Sequence, residues 1–333
     1  MTELARQFDV AVLDLDGCTY HGDSAIDGVK ESLAEAREMG MRTYFLTNNS
    51  LRTPAQIAQK LNGLGVQATP DDTISAAIAG AALAESRLGA GSRVLALGAA
   101  GVREALAQTS LQVVSSADDD PAAVVQGLSP EVTWSELSEA AIAIQRGAEH
   151  IATNLDIRLP VERGFALGNG SVVAAVVSAT GVRPISAGKP EPAIFELAIQ
   201  RAGALSPIAV GDQLATDVRG AIAAGIPCLH LLTGVSSARD VVLAAPEERP
   251  THLGIDMRDL VRSYDPPTRD GEWWTCGDQA ARIVDGDPQV RGSESLDAGS
   301  IVHLNAYRAL AAAAWHAADS GESVACPDIV VAR

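Results

Sequence analysis

Apolar positions fall along this chain in two rhythms. Short continuous runs, such as Val10-Ala11-Val12-Leu13, alternate with longer stretches where apolar and charged residues recur every three to four positions. The first rhythm is that of strands buried on both faces, the second that of amphipathic helices packed over them. After the first run, residues 27–39 have helical spacing and stop at Gly40, a glycine C-cap. Residues 41–46 (MRTYFL) read as a second buried strand. Helices follow from Thr53-Pro54, with proline in the first turn, and over 74–88. Residues 88–106 open a fresh strand, glycine turn and helix. Strands at 113–114, 123–128, 151–154, 208–210 and 226–232 then alternate with helices at 133–145, 171–180, 193–202 and 221–224. Strand–helix–strand order makes right-handed parallel crossovers the default. The pattern predicts an α/β fold with a Rossmann-like, doubly wound parallel sheet.

From about Arg262 the rhythm changes. Asp265-Pro266-Pro267 reads as a linker or domain start, residues 272–275 as a strand, 300–319 as an Ala-rich helix and 324–331 as a last strand. This tail carries no catalytic constellation.

Length and charge narrow the function. A chain of 333 residues exceeds one typical domain and suggests two or three. A net charge of -17 leaves no surplus to neutralise phosphates, so nucleic acid and anionic membranes are excluded as main partners. The start, MTELARQFDV, has no apolar signal core, and no stretch reaches the roughly 20 apolar residues of a membrane span. The four cysteines are far apart and form no C-x-x-C pair. They fit reduced thiols in a cytoplasmic protein without a zinc site. Cys18 reads as a packing residue.

The chemistry gathers at strand ends, where parallel sheets place their sites. Asp14 and Asp16 close the first run, and Gly17 breaks it. Two unit charges roughly 4 Å apart repel by about 4 kcal/mol at an effective dielectric of 20. A hard cation with oxygen ligands such as Mg2+ would offset this. The second strand ends in Thr47-Asn48-Asn49-Ser50, side chains suited to phosphate oxygens or to capping the next helix. Lys189 sits between Gly188 and Pro190 on a stiffened loop that suits a fixed cation. A second carboxylate pair, Asp212 and Asp217, follows the strand at 208–210. Gly168-Asn169-Gly170 precedes a helix and reads equally as an anion or hydroxyl site and as an ordinary turn. Gly98 and Gly101 lack the rest of a dinucleotide fingerprint, and Asp118-Asp119-Asp120 lacks the alternation of a calcium loop.

Asp14-x-Asp16-Gly17, then Thr47, then Lys189, then Gly211-Asp212-x-x-x-Thr216-Asp217 resembles the haloacid dehalogenase (HAD) superfamily over residues 8–260. LTNNS, ATGVRPISAGKPEP and GDQLATD look like its subgroup with an α/β (C2, type IIA) cap inserted between the second and third motifs. The resemblance implies core segments at 1–87 and 184–261, a cap at 88–183 and a small α+β extension at 262–333 that resembles part of an acetyltransferase fold. No glycine-rich acetyl-CoA loop accompanies that extension. The implied activity is Mg2+-dependent hydrolysis of a small phosphorylated metabolite through an aspartyl-phosphate. Glycerol 3-phosphate leads; phosphoglycolate, pyridoxal phosphate and sugar phosphates follow, and a non-catalytic binding or regulatory protein is the rival from another class. Asp14 would be the nucleophile and Asp16 the acid/base, with Thr47 and Lys189 holding the phosphoryl group. The metal would sit between Asp14, the Asp16 carbonyl and Asp212, with Asp217 ligating through water or orienting the others. Asn48, Asn49, Thr153, Asn154, Asp156, Arg158, Gly168, Asn169 and Gly170 are the candidate substrate contacts. A homo-oligomer through the cap or the extension completes the expectation.

Overall fold

Val10–Asp14 forms the expected strand, its first four residues buried. The computed structural model describes residues 2–161, 163–293 and 295–333. The chain divides into two units, Met1–Thr43 with Gly203–Arg333, and Tyr44–Ala202.

In the first unit, parallel strands lie in the order His252–Gly254, Cys228–Leu231, Pro207–Gly211, Val10–Asp14. Leu13 pairs with Val210, so Asp14 and Gly211 leave the sheet side by side. The helix Val29–Glu38 begins after Gly28, held at φ 79°, and buries Val29, Ser32, Leu33 and Ala36 at the predicted spacing.

The tail belongs to this unit. Its four antiparallel strands, Thr268–Asp270, Trp273–Cys276, Gln279–Val284 and Asp287–Val290, pair in sequence order. Only the second was foreseen, because the others mix charged and apolar residues without strict alternation. The helix Leu304–Asp319 packs on the middle strands and is buried nearly all round. It starts later than its alanine run suggested. Ile301–His303 instead pairs in parallel with Val330–Ala332, and the His303 side chain caps the helix by accepting from Asn305 N. Arg308 Nε donates to Leu253 O at 2.9 Å, and Trp315 Nε1 to Val241 O at 2.9 Å. Arg333 meets Asp256 and Asp259 at 2.8 and 2.9 Å. Burial pushes the Asp256 carboxyl up, but hydrogen bonds from Arg333 and Arg258 outweigh it and hold its pKa at about 2.

The second unit carries five parallel strands in the order Ile185–Ser186, Glu149–Ala152, Ala123–Gln126, Arg93–Leu97, Gln112–Val114. The order reverses between Arg93–Leu97 and Ala123–Gln126, the place where open α/β sheets bind ligands. Here the chain's own loop fills it. A Cβ at Gly101 would run into the carbonyl oxygens of Ser50 and Arg52. Ser50 Oγ accepts from Leu128 N at 3.1 Å. The Gly98-Gly101 turn is therefore a packing feature. Arg42–Thr47 pairs with Thr73–Ser75 through Phe45 and Thr73, so the helix expected from residue 74 starts at Ala76. One hairpin, Arg158–Val161 with Gly164–Leu167, went unforeseen. Val161, Phe165 and Leu167 face solvent, the last two 70% and 71% exposed, so they give no core-facing period to read.

Candidate active site

In the first unit, Asp14, Asp212 and Asp217 bring carboxylate oxygens within 4.8 Å of one another. Asp14 is half-buried, and the other two are buried. Tight backbone makes this approach feasible. Gly17 holds φ 88°, and a Cβ there would lie 2.6 Å from Asp212 Oδ2. A Cβ at Gly211 would collide with Asp217, and one at Gly234 with Asp212. Asp217 Oδ2 accepts from the backbone nitrogens of Asp212 and Gln213 at 3.2 and 3.1 Å. Asp212 Oδ2 accepts from Val235 N at 2.7 Å. Thr19 Oγ1 donates to Asp14 O at 2.7 Å, and Thr233 Oγ1 to Gly17 O at 2.7 Å.

Asp16 is exposed, and its side chain lies outside the three-carboxylate cluster. Cys18 is buried with its thiol 3.7 Å from Val210 O, a packing role. His230, unremarked in the sequence, is fully buried with Nε2 3.0 Å from Asp212 O. Burial pushes its pKa down to about 4 against the opposing pull of the Asp212 bond, so the ring is neutral. A histidine inside the run Cys228-Leu229-His230-Leu231-Leu232 is the signal that would have found it.

The carboxylate set fits a hard divalent cation. All three donors are oxygen, and a cation would offset repulsion among charges held this close.

The second unit gathers most of the other candidates. Lys189 N donates to Asn48 Oδ1 at 2.8 Å, and Lys189 O accepts from Asn48 Nδ2 at 3.0 Å. One asparagine thus clamps both backbone groups of Lys189, which is 5% exposed. Asn48 Nδ2 also lies 3.3 and 3.2 Å from the two Asp156 carboxylate oxygens. Asn154 Nδ2 donates to Asn48 O at 2.7 Å, and Asn169 Nδ2 to Asn154 O at 2.8 Å. Gly188 fits because a Cβ would lie 2.6 Å from Thr153 O. Asn48, Asn154, Asp156 and Asn169 therefore form one connected network around the Lys189 loop.

Thr47 Oγ1 accepts from Asn49 N at 3.1 Å, and Asn49 Oδ1 from Leu51 N at 2.8 Å, so these side chains shape the turn. Capping of the next helix falls to Thr53, with a reciprocal Gln56 bond. Gly168 and Gly170 pack against the carbonyls of Asp156 and Leu155. Thr153 is fully buried. Arg158 lies on the exposed hairpin, 5.6 Å over the Phe165 ring.

Asn48→Ala should free both ends of the clamp. Turnover is expected to fall 10- to 100-fold, on the scale that small displacements within a site cost. Steady-state kinetics on the full chain checks this, and a variant with wild-type turnover would remove any role for the clamp.

A family model described as haloacid dehalogenase-like hydrolase matches residues 11–112, and one described as HAD-hydrolase-like matches residues 186–260. A D-glycerol 3-phosphate phosphatase of Mycobacterium tuberculosis is 40% identical over 321 residues, 95% of this chain and 88% of its own. The chain belongs to the haloacid dehalogenase-like hydrolase family. Its doubly wound core with an inserted α/β cap is the fold of solved HAD phosphatases. An acid sugar phosphatase of Staphylococcus aureus (strain MRSA252) is 37% identical over 238 residues, 71% of this HAD chain and 91% of its own. The crystal structure of the M. tuberculosis glycerol phosphate phosphatase in complex with magnesium matches with a TM-score of 0.84 at 37% identity, covering 100% of this chain and 96% of that one. The 4-nitrophenylphosphatase of Thermotoga maritima matches with a TM-score of 0.71 at 28% identity, covering 78% and 98%.

Proposed function

We propose that this HAD hydrolase is a Mg2+-dependent phosphatase whose preferred substrate is glycerol 3-phosphate. The observation that carries the chemistry is the convergence of Asp14, Asp212 and Asp217 at the carboxyl end of neighbouring parallel strands. The substrate is supported by the relative named a D-glycerol 3-phosphate phosphatase, whose similarity extends over 95% of this chain.

Asp14 attacks phosphorus and forms an aspartyl-phosphate, while Asp16 gives its proton to the departing alkoxide. Asp16 then takes a proton from water. The hydroxide attacks the aspartyl-phosphate, releasing inorganic phosphate and restoring Asp14. Mg2+ at the carboxylate cluster supplies charge neutralisation for the phosphoryl group. Thr47 and Lys189 are assigned to the phosphoryl oxygens on the order of the motifs along the chain. Residues 88–183 are assigned the choice of ester. Among the described residues no helix is long and apolar enough to cross a membrane. A cytoplasmic setting is part of the proposal, supported by four buried cysteines that form no disulfide.

The test is phosphate release from a panel of small phosphomonoesters, with Mg2+ and with chelator. Mg2+-dependent release greatest on glycerol 3-phosphate is expected. Greatest release on a sugar phosphate would move the substrate toward that of the staphylococcal acid sugar phosphatase. No release from any ester would overturn the proposal.

A further inference from the structure

We infer that His230 is a positioning residue for the divalent cation site, acting through the main chain of Asp212. The inference rests on the metal reading of the carboxylate cluster given above.

His230 lies mid-strand in Cys228–Leu231, between two parallel neighbours, where an aliphatic side chain would ordinarily pack. Its ring is fully buried, and Nδ1 has no hydrogen-bond partner among the described residues. A buried polar atom left unpaired is destabilising, so the imidazole is a poor choice for packing alone. What it adds is one directed bond. The Asp212 carbonyl can only accept, so the proton sits on Nε2 and points at Asp212 O, 3.0 Å away.

That bond closes a cage around one residue. Asp212 N donates to Asp217 Oδ2, and Asp212 Oδ2 accepts from Val235 N. Asp212 O accepts from Ser236 N at 3.1 Å and from His230. The strand that carries His230 also leads into the loop supplying Val235 and Ser236. In this set His230 is the side chain that reaches in from outside the acidic motifs. It fixes the peptide plane at Asp212, and with it the direction in which the carboxylate presents its oxygens. Groups that hold a metal ligand in this way set affinity without touching the ion.

The test compares wild type with His230→Leu, which keeps an apolar body and loses the donor, and His230→Gln, which restores an N–H. Mn2+ binding to the full chain is followed by electron paramagnetic resonance, beside Mg2+ activation curves and thermal melts. His230→Leu is expected to raise the Mn2+ dissociation constant about tenfold or more. The Mg2+ needed for half-maximal phosphate release should rise by the same factor. Its melting temperature should equal or exceed wild type, since the unpaired nitrogen is gone. His230→Gln should stay within about threefold of wild type in Mn2+ affinity, well short of the His230→Leu loss. If His230→Leu does not fold, His230→Met takes its place in every comparison.

Wild-type Mn2+ affinity in the donor-free variant would overturn the inference. A wild-type chain that binds no Mn2+ at millimolar concentration would overturn it together with the metal site. A chain that binds Mn2+ but hydrolyses no ester would sink only the phosphatase reading, leaving the Mn2+ comparison to decide the role of His230.

Discussion

Asp14→Asn is expected to lower phosphate release by at least about 10^3-fold while leaving the fold intact. The amide matches the carboxylate in shape but is a poor nucleophile, so no covalent intermediate forms. Losses of this size are what removal of a catalytic nucleophile produces elsewhere. The same change removes one of three clustered carboxylates, so Mn2+ affinity should fall as well. Fold integrity has a physical basis. Asp14 is held through its carbonyl, which accepts from Thr19 Oγ1, and that bond survives the change. Without metal, one less negative charge in the cluster should leave the melting temperature equal or higher. Near wild-type turnover at saturating Mg2+ would show that Asp14 is not the nucleophile.

Deleting residues 262–333 is expected to leave an insoluble or unfolded chain. The helix Leu304–Asp319 buries Tyr307, Ala309, Leu310 and Ala311 completely. Tyr307→Ala alone should cost about 3–5 kcal/mol, the range for a large buried aromatic cut to alanine. Whole domains retain only about 5–15 kcal/mol. Deletion also strips Leu253 O and Val241 O of their Arg308 and Trp315 donors. It takes Arg333 from the buried carboxylates of Asp256 and Asp259. Thermal melts of the truncated chain and of Tyr307→Ala settle the point. A soluble truncated chain with the full-length melting temperature would show the extension to be an accessory.

The sequence made the parallel strands and the acidic motifs legible, because buried strands read as apolar runs and carboxylates at their ends stand out. The family resemblance carried by the acidic motifs implied a shared metal site for Asp14, Asp212 and Asp217, and the structure clusters their carboxylates. Other features were hidden for identifiable reasons. The hold of Asn48 on Lys189 was one, because the partner lies 141 residues away and no local pattern reveals it. The Arg158–Val161 and Gly164–Leu167 hairpin faces solvent, so burial imposes no period on it. The integration of the tail depends on long-range pairs such as Arg308 with Leu253, and these too leave no local trace.

The Asn48 clamp has a consequence for synthesis. Asn48 leaves the ribosome 141 residues before Lys189, the residue it fixes. The five-stranded sheet can begin to assemble in the interval, but the loop shaped by Thr47 and Asn49 waits for its partner. A chain stalled before residue 189 would hold Asp14, Asp16 and most of the second unit, yet lack the lysine and the two later carboxylates of the cluster. Acquisition of activity is thereby placed late in the birth of the protein, after most of the second unit has been made and with Gly203–Arg333 of the first still to follow.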